Sequence, residues 1–368
     1  MDPSLETALA NAFPDRPVEG LVDVGPSWNG GNETVGVDFA DGGRAYLKVA
    51  LDADGSRIAR ERAVLEYVAA RRPVPVPAIV AADPDAEPPH LATAPAPGRD
   101  LHAVLEGADD DRREALLRRV GRTLATLHEV EFASHGEVVG RGETVGIGEA
   151  KREATGGRDG DSPASDRAND RDAPGLEVAA ASWTDTLLST IERTREIGTT
   201  DRLARHFDAA IDCVESNRAL LDGAPAALLH GDVAPPNAFL TEGDGGQSGT
   251  VGAVDAVGAN EDSDVGFLDW ELAHVGDPAR DLVRARDQLC NGFDYEGPER
   301  FGEAVYRGYR DRAGGLPEGF AERRPVYRVV RVLGRSGFLD QWVTYLDEPM
   351  DDLVDRIDAE LDARLASV

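Results

Sequence analysis

Three polar side chains stand at the ends of apolar stretches in the second half of the chain. In LLHGDVAPPNAFL (228–240), Asp232 and Asn237 flank a proline-rich turn between two apolar segments, and in GFLDWELAHVGDPARDL (266–282), Asp269 ends an apolar run. Carboxylate and amide oxygens suit Mg²⁺, which also takes phosphate oxygens and water. A further carboxylate outside the ion's ligand shell can orient an attacking hydroxyl. This set therefore predicts phosphoryl-transfer chemistry.

A lysine in the first half of the chain fits the same chemistry. Lys48, in AYLKVA (45–50), is one of two lysines among 39 basic residues, the other being Lys151. In a strand, Lys48 and Tyr46 share the face opposite the apolar side chains. An ammonium is a compact charge suited to phosphate oxygens, whereas a guanidinium is a wide planar fork. The alternative is an exposed lysine retained by chance.

A carboxylate partner for Lys48 is expected on the following helix. The apolar periodicity predicts an amphipathic helix at 56–72 that carries Glu61 on its apolar stripe and Glu66 off it. A buried carboxylate needs a partner, because an unpaired buried charge is costly. Lys48 is the nearest candidate in sequence.

The combination of motifs resembles the aminoglycoside phosphotransferase family, which comprises small-molecule kinases with the protein-kinase fold. HGD with an Asn five residues after the Asp, followed by LDWE and GDPARDL, carries the resemblance. It covers about residues 20–345. It implies an α+β, protein-kinase-like two-lobe fold, with a small antiparallel β-sheet N-lobe (1–95) and a larger, mostly helical C-lobe (96–368).

The resemblance also implies roles for the residues above. Asp232 would be the catalytic base that accepts the proton of the acceptor hydroxyl. Asn237 and Asp269 would hold Mg²⁺ ions that bridge the phosphates of ATP or GTP. Lys48 would contact the α- and β-phosphates and be oriented by Glu61.

Further nucleotide contacts follow from the same resemblance. SWNGGNET (27–34) stands where the family has its phosphate-covering loop, with Asn32 and Thr34 in matching places. Tyr46 would roof the base. The hinge whose backbone meets the adenine would comprise Thr93, Ala94 and Pro95.

Two positions depart from the family pattern. Ala234 is apolar where members often have His or Ser, and Pro236 stands where Gly is frequent. The apolar Ala234 is expected to alter the support of the catalytic loop, and neither departure removes a reacting group.

Two other functions remain open at this point. A nucleotide-binding regulatory module without catalysis is disfavoured because all five reacting groups are present. A metal-dependent phosphoesterase would use His230, Asp232, Asp269 and His274 as ligands, although hydrogen bonds to backbone are the favoured role of His230. Glu271 is either a contact of a second ion or an outward-facing residue, and Asp281 is either a brace of the catalytic loop or an exposed helical residue.

Composition limits the partners and the environment. The net charge of −30 argues against nucleic-acid and membrane binding, because both need a basic surface. Few lysines and dispersed acids indicate a halophilic protein, since salt at ~1 M shortens the Debye length to ~3 Å; an acidic surface for cationic substrates is the weaker interpretation. Cys213 and Cys290 are expected to be free thiols. Without a signal peptide or a long apolar stretch, we expect a cytoplasmic protein.

The remaining chain predicts helices and two insertions. Helices are expected at 3–13, 100–106, 110–130, 177–197 and 201–221, with strands at 33–39 and 44–50 joined by a turn at DGG (41–43). Residues 151–175 and 241–264 are polar and predicted to be flexible insertions. The acceptor is a small molecule with a hydroxyl, bound by side chains from about 177–221 and 283–345. Its identity, the nucleotide preference and the oligomeric state stay open.

Overall fold

The structure, a computed structural model, describes residues 2–24, 31–71, 74–142, 175–198, 200–241, 264–293 and 295–368. The predicted insertions therefore lie outside the described residues, except for Gly175 in the first and Thr241 and Asp264 at the ends of the second. Among the helices of this described part, none is long and apolar enough to cross a membrane.

Residues 3–93 form an antiparallel sheet of five strands with two helices. The strand order is β1-β2-β3-β5-β4. The elements are α1 (Pro3–Ala12), β1 (Val18–Asp23), β2 (Asn32–Phe39), β3 (Arg44–Ala50), α2 (Ser56–Arg71), β4 (Ile79–Asp83) and β5 (His90–Thr93).

The hairpin of β2 and β3 has the turn and the faces that the sequence predicts. Gly42 has φ of 81°, a conformation that favours glycine. The alternate apolar side chains of β3 pack with α1 in a small core. Tyr46 and Lys48 consequently lie on the opposite face of the sheet.

Helix α2 connects this sheet to the rest of the molecule. Its buried side chains, Ile58 and Leu65 among them, belong to a large core shared with the C-terminal helices. Glu61 lies among them and is only 5% exposed. The apolar stripe thus positions a carboxylate beneath the sheet, as its periodicity predicts.

Residues 98–365 are mostly helical, with two small sheets of order β11-β10-β6 and β8-β7-β12-β9. The strands are β6 (Gly98–Asp100), β7 (His135–Gly142), β8 (Gly175–Ala181), β9 (Ala227–Leu229), β10 (Ala238–Thr241), β11 (Val265–Phe267) and β12 (His274–Gly276). The α-helices are α3 (Leu101–Glu106), α4 (Asp110–Leu127), α5 (Trp183–Ile197), α6 (Ala204–Ser216), α7 (Arg218–Asp222), α8 (Pro278–Cys290), α9 (Glu299–Ala313), α10 (Phe320–Ser336), α11 (Leu339–Leu346) and α12 (Met350–Leu365).

The prediction of one helix over 177–197 was wrong in its first part. Residues 175–181 form β8, which pairs antiparallel with β7, and α5 begins only after Ser182 caps it by accepting from the N–H of Asp185. LEVAAA (176–181) contains three alanines, the best helix formers. Cross-strand pairing overrides this preference, because a strand is stabilised by its neighbour rather than by local propensity.

Helix α8 supplies the side chains that contact the HGD turn (230–232). It begins at Pro278, after Asp277 accepts from the N–H of Ala279, as the DP pair predicts. Its side chains Asp281, Arg284 and Gln288 contact the HGD turn (230–232).

Candidate active site

Lys48 lies at the centre of three carboxylates. Its Nζ is 2.6 Å from Glu61 Oε2, 2.6 Å from Asp269 Oδ1 and 3.3 Å from Glu271 Oε2. Burial alone would lower the pKa of Lys48, but the three carboxylates outweigh it and hold that pKa well above its ordinary value. The structure thus brings together a strand lysine, a helix glutamate and the aspartate after β11, in the order that the sequence predicts.

Asp269 has a backbone conformation that few non-glycine residues adopt. Its φ and ψ are 60° and 67°, in the left-handed region, which costs about 1–3 kcal/mol. The next residue, Trp270, donates its N–H to Glu61 Oε1 at 3.3 Å, so α2 holds this turn in place. The strained turn directs the Asp269 carboxylate toward Lys48.

Glu271 faces this cluster and is not an outward-facing residue. It is 4% exposed, and its Oε2 accepts from Lys48 and, at 2.7 Å, from Asn32 Nδ2. Arg57 Nη1 lies 3.4 Å from its other oxygen. The Asn32 side chain, expected near the phosphates, is therefore held at the base of the Lys48 cluster.

A buried carboxylate braces the HGD turn (230–232). Asp281 accepts from the backbone N–H of His230 at 2.8 Å and of Gly231 at 2.9 Å, and lies 3.4 Å from His128 Nε2. Burial would raise the pKa of Asp281, but the hydrogen bond with His128 and the electrostatic effects of His128, His230 and His274 hold that pKa far below its ordinary value. Gly231 has φ of 82°, and a Cβ there would lie 2.4 Å from a carbonyl oxygen. Of the two roles left open for Asp281, the structure shows the brace.

Asp232 is held by two donors from α8. Its Oδ1 accepts from Arg284 Nη2 at 2.7 Å and from Gln288 Nε2 at 2.8 Å, and Arg284 Nε donates to Gln288 Oε1 at 2.8 Å. Burial would raise the pKa of Asp232, but Arg284 and Gln288 outweigh it and lower that pKa. The Asp232 side chain is 21% exposed, and its Oδ2 has no partner among the described residues. This second oxygen is free to accept from a ligand hydroxyl.

Asn237 and Asp269 lie at neighbouring ends of β10 and β11. The two strands pair antiparallel, and Leu268 donates its N–H to the Asn237 carbonyl at 2.8 Å. Asn237 Nδ2 donates to the Asp232 carbonyl at 3.0 Å, so the amide oxygen of Asn237 points away from that carbonyl. One amide oxygen and one carboxylate are ligands of the kind that Mg²⁺ prefers, so these residues fit the ion.

One ammonium in this cluster faces three carboxylates. Oxygens of Glu61, Asp269 and Glu271 all lie within 4.8 Å of one another. Burial raises the pKa of Glu61 to about 7 against the opposing effect of Lys48, with Asp269 and Glu271 adding to the rise. A proton is therefore taken up in this cluster close to neutral pH.

Glu61→Gln is expected to remove a pH dependence of stability. An acid whose pKa is higher in the folded than in the unfolded state binds protons more tightly when folded, so unfolding free energy falls as pH rises from 4.5 to about 7. Glutamine does not titrate there. Between about pH 5 and about pH 7.5, denaturant unfolding should show a larger loss of stability in the wild type than in the variant.

The matched control for this measurement is Glu66→Gln, on the same helix but paired with Arg62 and Arg141. It should keep the wild-type dependence on pH. Equal pH dependence in wild type and Glu61→Gln would contradict the assignment of the proton to Glu61.

The predicted nucleotide contacts of the sheet lie near one another. Thr34 of β2 is opposite Lys48, and Tyr46 of β3 is opposite Thr93 at the end of β5. The first part of the predicted phosphate-covering loop, residues 27–30, lies outside the described residues.

The hinge has a restricted set of backbone donors. Ala94 donates its N–H to the Ala78 carbonyl at 2.8 Å. Pro95 has no N–H to offer. Within the described chain, the N–H of Ala96 is the next one without a partner, so the available donor lies one residue beyond the predicted hinge of 93–95.

His230 and His274 use their ring nitrogens inside the protein. His230 Nε2 lies 2.8 Å from the Leu268 carbonyl, and its Nδ1 accepts the backbone N–H of Asp232. His274 Nδ1 faces a carbonyl oxygen at 2.8 Å and its Nε2 faces Arg280. Burial lowers both pKa values, to about 3 for His274. A phosphoesterase with both histidines as metal ligands is therefore not supported.

Sequence reasoning missed Arg284 and Gln288. A signal was present, because the two residues are one helical turn apart on the helix that carries Asp281. Once Asp281 is placed beneath the HGD turn, the adjoining stripe of α8 must face Asp232. The sequence left the position of Asp281 open, so this step could not be taken.

Comparisons with known proteins agree with this architecture. The model of the phosphotransferase enzyme family, APH, matches residues 26–252. No curated protein matched the sequence. Similar solved structures include ADP-bound aminoglycoside phosphotransferase APH(2″)-Ib, at 15% identity and a TM-score of 0.54, over 99% of this chain and 98% of that one.

Two further solved structures are similar to this chain in fold at low sequence identity. The streptomycin–ATP complex of APH(2″)-IIa has 16% identity and a TM-score of 0.53, over 98% of this chain and 96% of that chain. The GDP and kanamycin complex of APH(2″)-IIIa has 12% identity and a TM-score of 0.54, over 99% and 98%. At these identities the likeness establishes the fold.

The molecule has the α+β, two-lobe fold of the protein-kinase-like proteins, with a small antiparallel sheet beside a mostly helical lobe. The family model covers well over half of the chain, and the chain belongs to the phosphotransferase enzyme family.

Proposed function

We propose that this protein transfers the γ-phosphoryl group of ATP or GTP to a hydroxyl of a small molecule. The observation that carries the proposal is the cluster of Lys48, Glu61 and Asp269, joined through the β10–β11 pair to a braced Asp232. Phosphoryl transfer requires little covalent chemistry from the protein. Catalysis comes from positioning the acceptor and the nucleotide and from neutralising the charge of the phosphates.

In the proposed reaction, Asp232 accepts the proton of the acceptor hydroxyl and the nucleoside diphosphate is the leaving group. Asp232 Oδ2 orients the acceptor hydroxyl and takes its proton as the oxygen attacks the γ-phosphorus. The bond from that phosphorus to the β–γ bridging oxygen breaks, and the nucleoside diphosphate leaves with the electron pair. Because the pKa of Asp232 is lowered, the carboxylate is a weak base, so the proton moves late, when the hydroxyl has become acidic.

Asn237 and Asp269 would hold Mg²⁺. The bound ion supplies neutralisation of the phosphate charge. Lys48 adds a positive charge at the same place, and Glu61 fixes its position on α2. With the ion bound, Mg²⁺ and Lys48 together would offset the charge of the three carboxylates that an incoming polyphosphate approaches.

The nucleotide would lie between the two lobes, which we place at residues 1–95 and 96–368. Tyr46 would cover the base, and the hinge at Thr93, Ala94 and Pro95 would meet its edge, with the free N–H of Ala96 as donor. Thr34 and Asn32 would lie on the phosphate side. The proposal keeps both ATP and GTP, because the similar structures were solved with ADP or ATP and with GDP.

The net charge of −30 supports adaptation to high salt and disfavours nucleic-acid and anionic-membrane partners, which need a basic surface. At ~0.1 M salt the Debye length is ~10 Å, and the acidic side chains repel one another over that range. Salt at ~1 M reduces the Debye length to ~3 Å and screens this repulsion. Assays therefore belong in high salt.

The test is nucleotide consumption in high salt with a panel of small hydroxyl compounds, followed by ³¹P NMR of the product. We expect acceptor-dependent conversion of ATP or GTP to the diphosphate, loss of it with EDTA and recovery with Mg²⁺. Nucleotide hydrolysis at a rate independent of the acceptor, or the absence of nucleotide binding, would contradict the proposal.

A further inference from the structure

A small cavity in the helical part of the molecule is lined mostly by arginine side chains. It lies between α8, α9, α10 and α12, and its volume is about 20 Å³, enough for one water-sized particle. The arginines of its lining are Arg286, Arg324, Arg328, Arg331 and Arg364. This concentration of positive charge contrasts with the net charge of −30 of the whole chain. A site of this sign favours an anion over a cation.

Two acids in the lining neutralise part of this charge. Asp287 accepts from Arg331 at 2.7 Å and from Arg335, which adjoins the lining, at 2.8 Å. Glu360 lies 3.3 Å from Arg364 and 3.5 Å from Arg335. Each carboxylate is thus shared between two guanidinium groups, so a surplus of positive charge remains among these five side chains.

The surplus is larger when the rest of the cavity is counted. Glu296, at the rim, pairs with Arg328 at 3.3 Å and with Arg364 at 2.7 Å, and its side chain is 59% exposed. Arg286 and Arg324 have neither an ion pair nor a hydrogen bond within the described part of the chain. Six arginines therefore face three acids, which leaves a net charge of +3.

Two buried donors indicate the kind of ligand. The Tyr306 hydroxyl and Arg364 Nε are both buried, both belong to residues that line the cavity, and neither has a hydrogen-bond partner among the described residues. Burial raises the pKa of Tyr306, although Arg324, Arg286 and Arg328 oppose this effect, so the hydroxyl keeps its proton at neutral pH and can donate. A buried donor without an acceptor is costly, and such donors commonly bind water or an ion.

The two unpaired arginines lie close to the Tyr306 side chain. The guanidinium carbon of Arg324 is 5.8 Å from the centre of the Tyr306 ring. Arg286 lies across Gly302, where a Cβ would be 2.6 Å from Arg286 Nε. Gly302 and Tyr306 are four residues apart on α9 and therefore share one face of that helix. Both unpaired guanidinium groups thus lie against the face of α9 that carries the buried hydroxyl.

We propose that this cavity binds a single halide ion, such as chloride, between the Tyr306 hydroxyl, Arg364 Nε and the guanidinium groups of Arg286 and Arg324. A halide accepts from every donor around it and lowers the net charge of the site. A water would bring two hydrogens of its own, and the carboxylates that could accept them are already shared between arginines. The volume suits a monatomic anion and not sulfate or phosphate. The inference is independent of the proposed function, since the residues of the candidate active site do not line the cavity.

Bromide, which scatters anomalously near its absorption edge, identifies such an ion in crystals. The wild-type protein is crystallised from sodium bromide, and data are collected on both sides of the bromine edge. We expect an anomalous peak between α8, α9, α10 and α12, within hydrogen-bond distance of the Tyr306 hydroxyl. A water at the same place would give density without an anomalous peak.

The same ion should make stability depend on chloride. Urea unfolding is measured at one fixed high ionic strength while sodium acetate, whose anion is too large for the cavity, is replaced by sodium chloride. Above the dissociation constant, one bound ion lowers the unfolding constant about tenfold for each tenfold rise in chloride. Tyr306→Phe removes the hydroxyl donor and should flatten this dependence. Tyr309→Phe, buried on the same helix but outside the cavity, is the control for general effects of the salt and should retain it.

Arg324→Gln tests the charge of the site. It removes an unpaired guanidinium group and should also reduce the dependence of stability on chloride. The matched control is Arg312→Gln, which removes the same charge from an exposed pair with Glu129 outside the cavity. This control should leave the chloride dependence at its wild-type value.

The expected result is a bromide peak together with a reduced chloride dependence in Tyr306→Phe and Arg324→Gln. The absence of the peak from the cavity overturns the inference. Equal chloride dependence in wild type and both variants also overturns it, because a peak would then mark an adventitious ion only. Neither measurement involves nucleotide turnover, so failure here leaves the phosphotransferase function intact.

Discussion

We expect Asp232→Asn to lower kcat by about 10²–10⁴-fold and to leave nucleotide binding largely unchanged. Asparagine keeps an oxygen that can accept from Arg284 and Gln288, so the α8 contacts survive the change. It removes the negative charge that orients the acceptor hydroxyl and receives its proton. Steady-state kinetics together with a nucleotide dissociation constant measure the two effects separately.

Asparagine is a better test here than alanine. Asp232→Ala also strips Arg284 of its partner, so a loss of activity could arise from a displaced arginine. Asp264→Asn, an exposed carboxylate at the far end of the β10–β11 pair, provides the matched control. Turnover of Asp232→Asn equal to that of Asp264→Asn would show that Asp232 is not the base.

Lys48→Met is expected to lower the unfolding free energy by about 3–5 kcal/mol at neutral pH, because removal of one partner leaves buried carboxylates uncompensated. The pKa of Lys48 is raised in the folded state, so its contribution is fully present below pH 10.5 and lost above the folded value. Without the ammonium, the carboxylates of Glu61, Asp269 and Glu271 repel one another. The deficit should shrink at about pH 5, where they take up protons. Denaturant unfolding of wild type and Lys48→Met at neutral pH and at about pH 5 measures this difference in unfolding free energy.

Lys48→Arg addresses why this residue is a lysine in a chain where almost every other basic residue is an arginine. The ammonium places one atom 2.6 Å from two different carboxylates, which a planar fork cannot reproduce in the same space. We expect arginine to recover part of the stability and little of the turnover. Lys151→Met, which removes the only other lysine, is the control and should behave as wild type. Wild-type kcat in Lys48→Arg would refute a specific requirement for the ammonium.

The sheet hairpin and the Lys48–Glu61 pair could be predicted because each depends on local periodicity. Alternation fixes the face of Lys48, and the spacing of apolar residues fixes the face of Glu61. The β7–β8 pair could not be predicted, since residues 176–181 favour a helix locally and become a strand only through a partner about forty residues away in the chain. Glu271 was equally ambiguous, because its neighbours Lys48 and Asn32 come from the other end of the sequence.

The sequence by itself determined the candidate reacting groups and their order along the chain: a lysine, a glutamate, an aspartate, an asparagine and a second aspartate. Residue type and spacing are enough for that, because the chemistry of phosphate and Mg²⁺ limits which side chains can serve. Only the tertiary structure decided what surrounds Asp232. Arg284 and Gln288 follow the GDPARDL motif on α8 but are not part of it, and helix packing, a long-range interaction, sets which face of α8 meets Asp232.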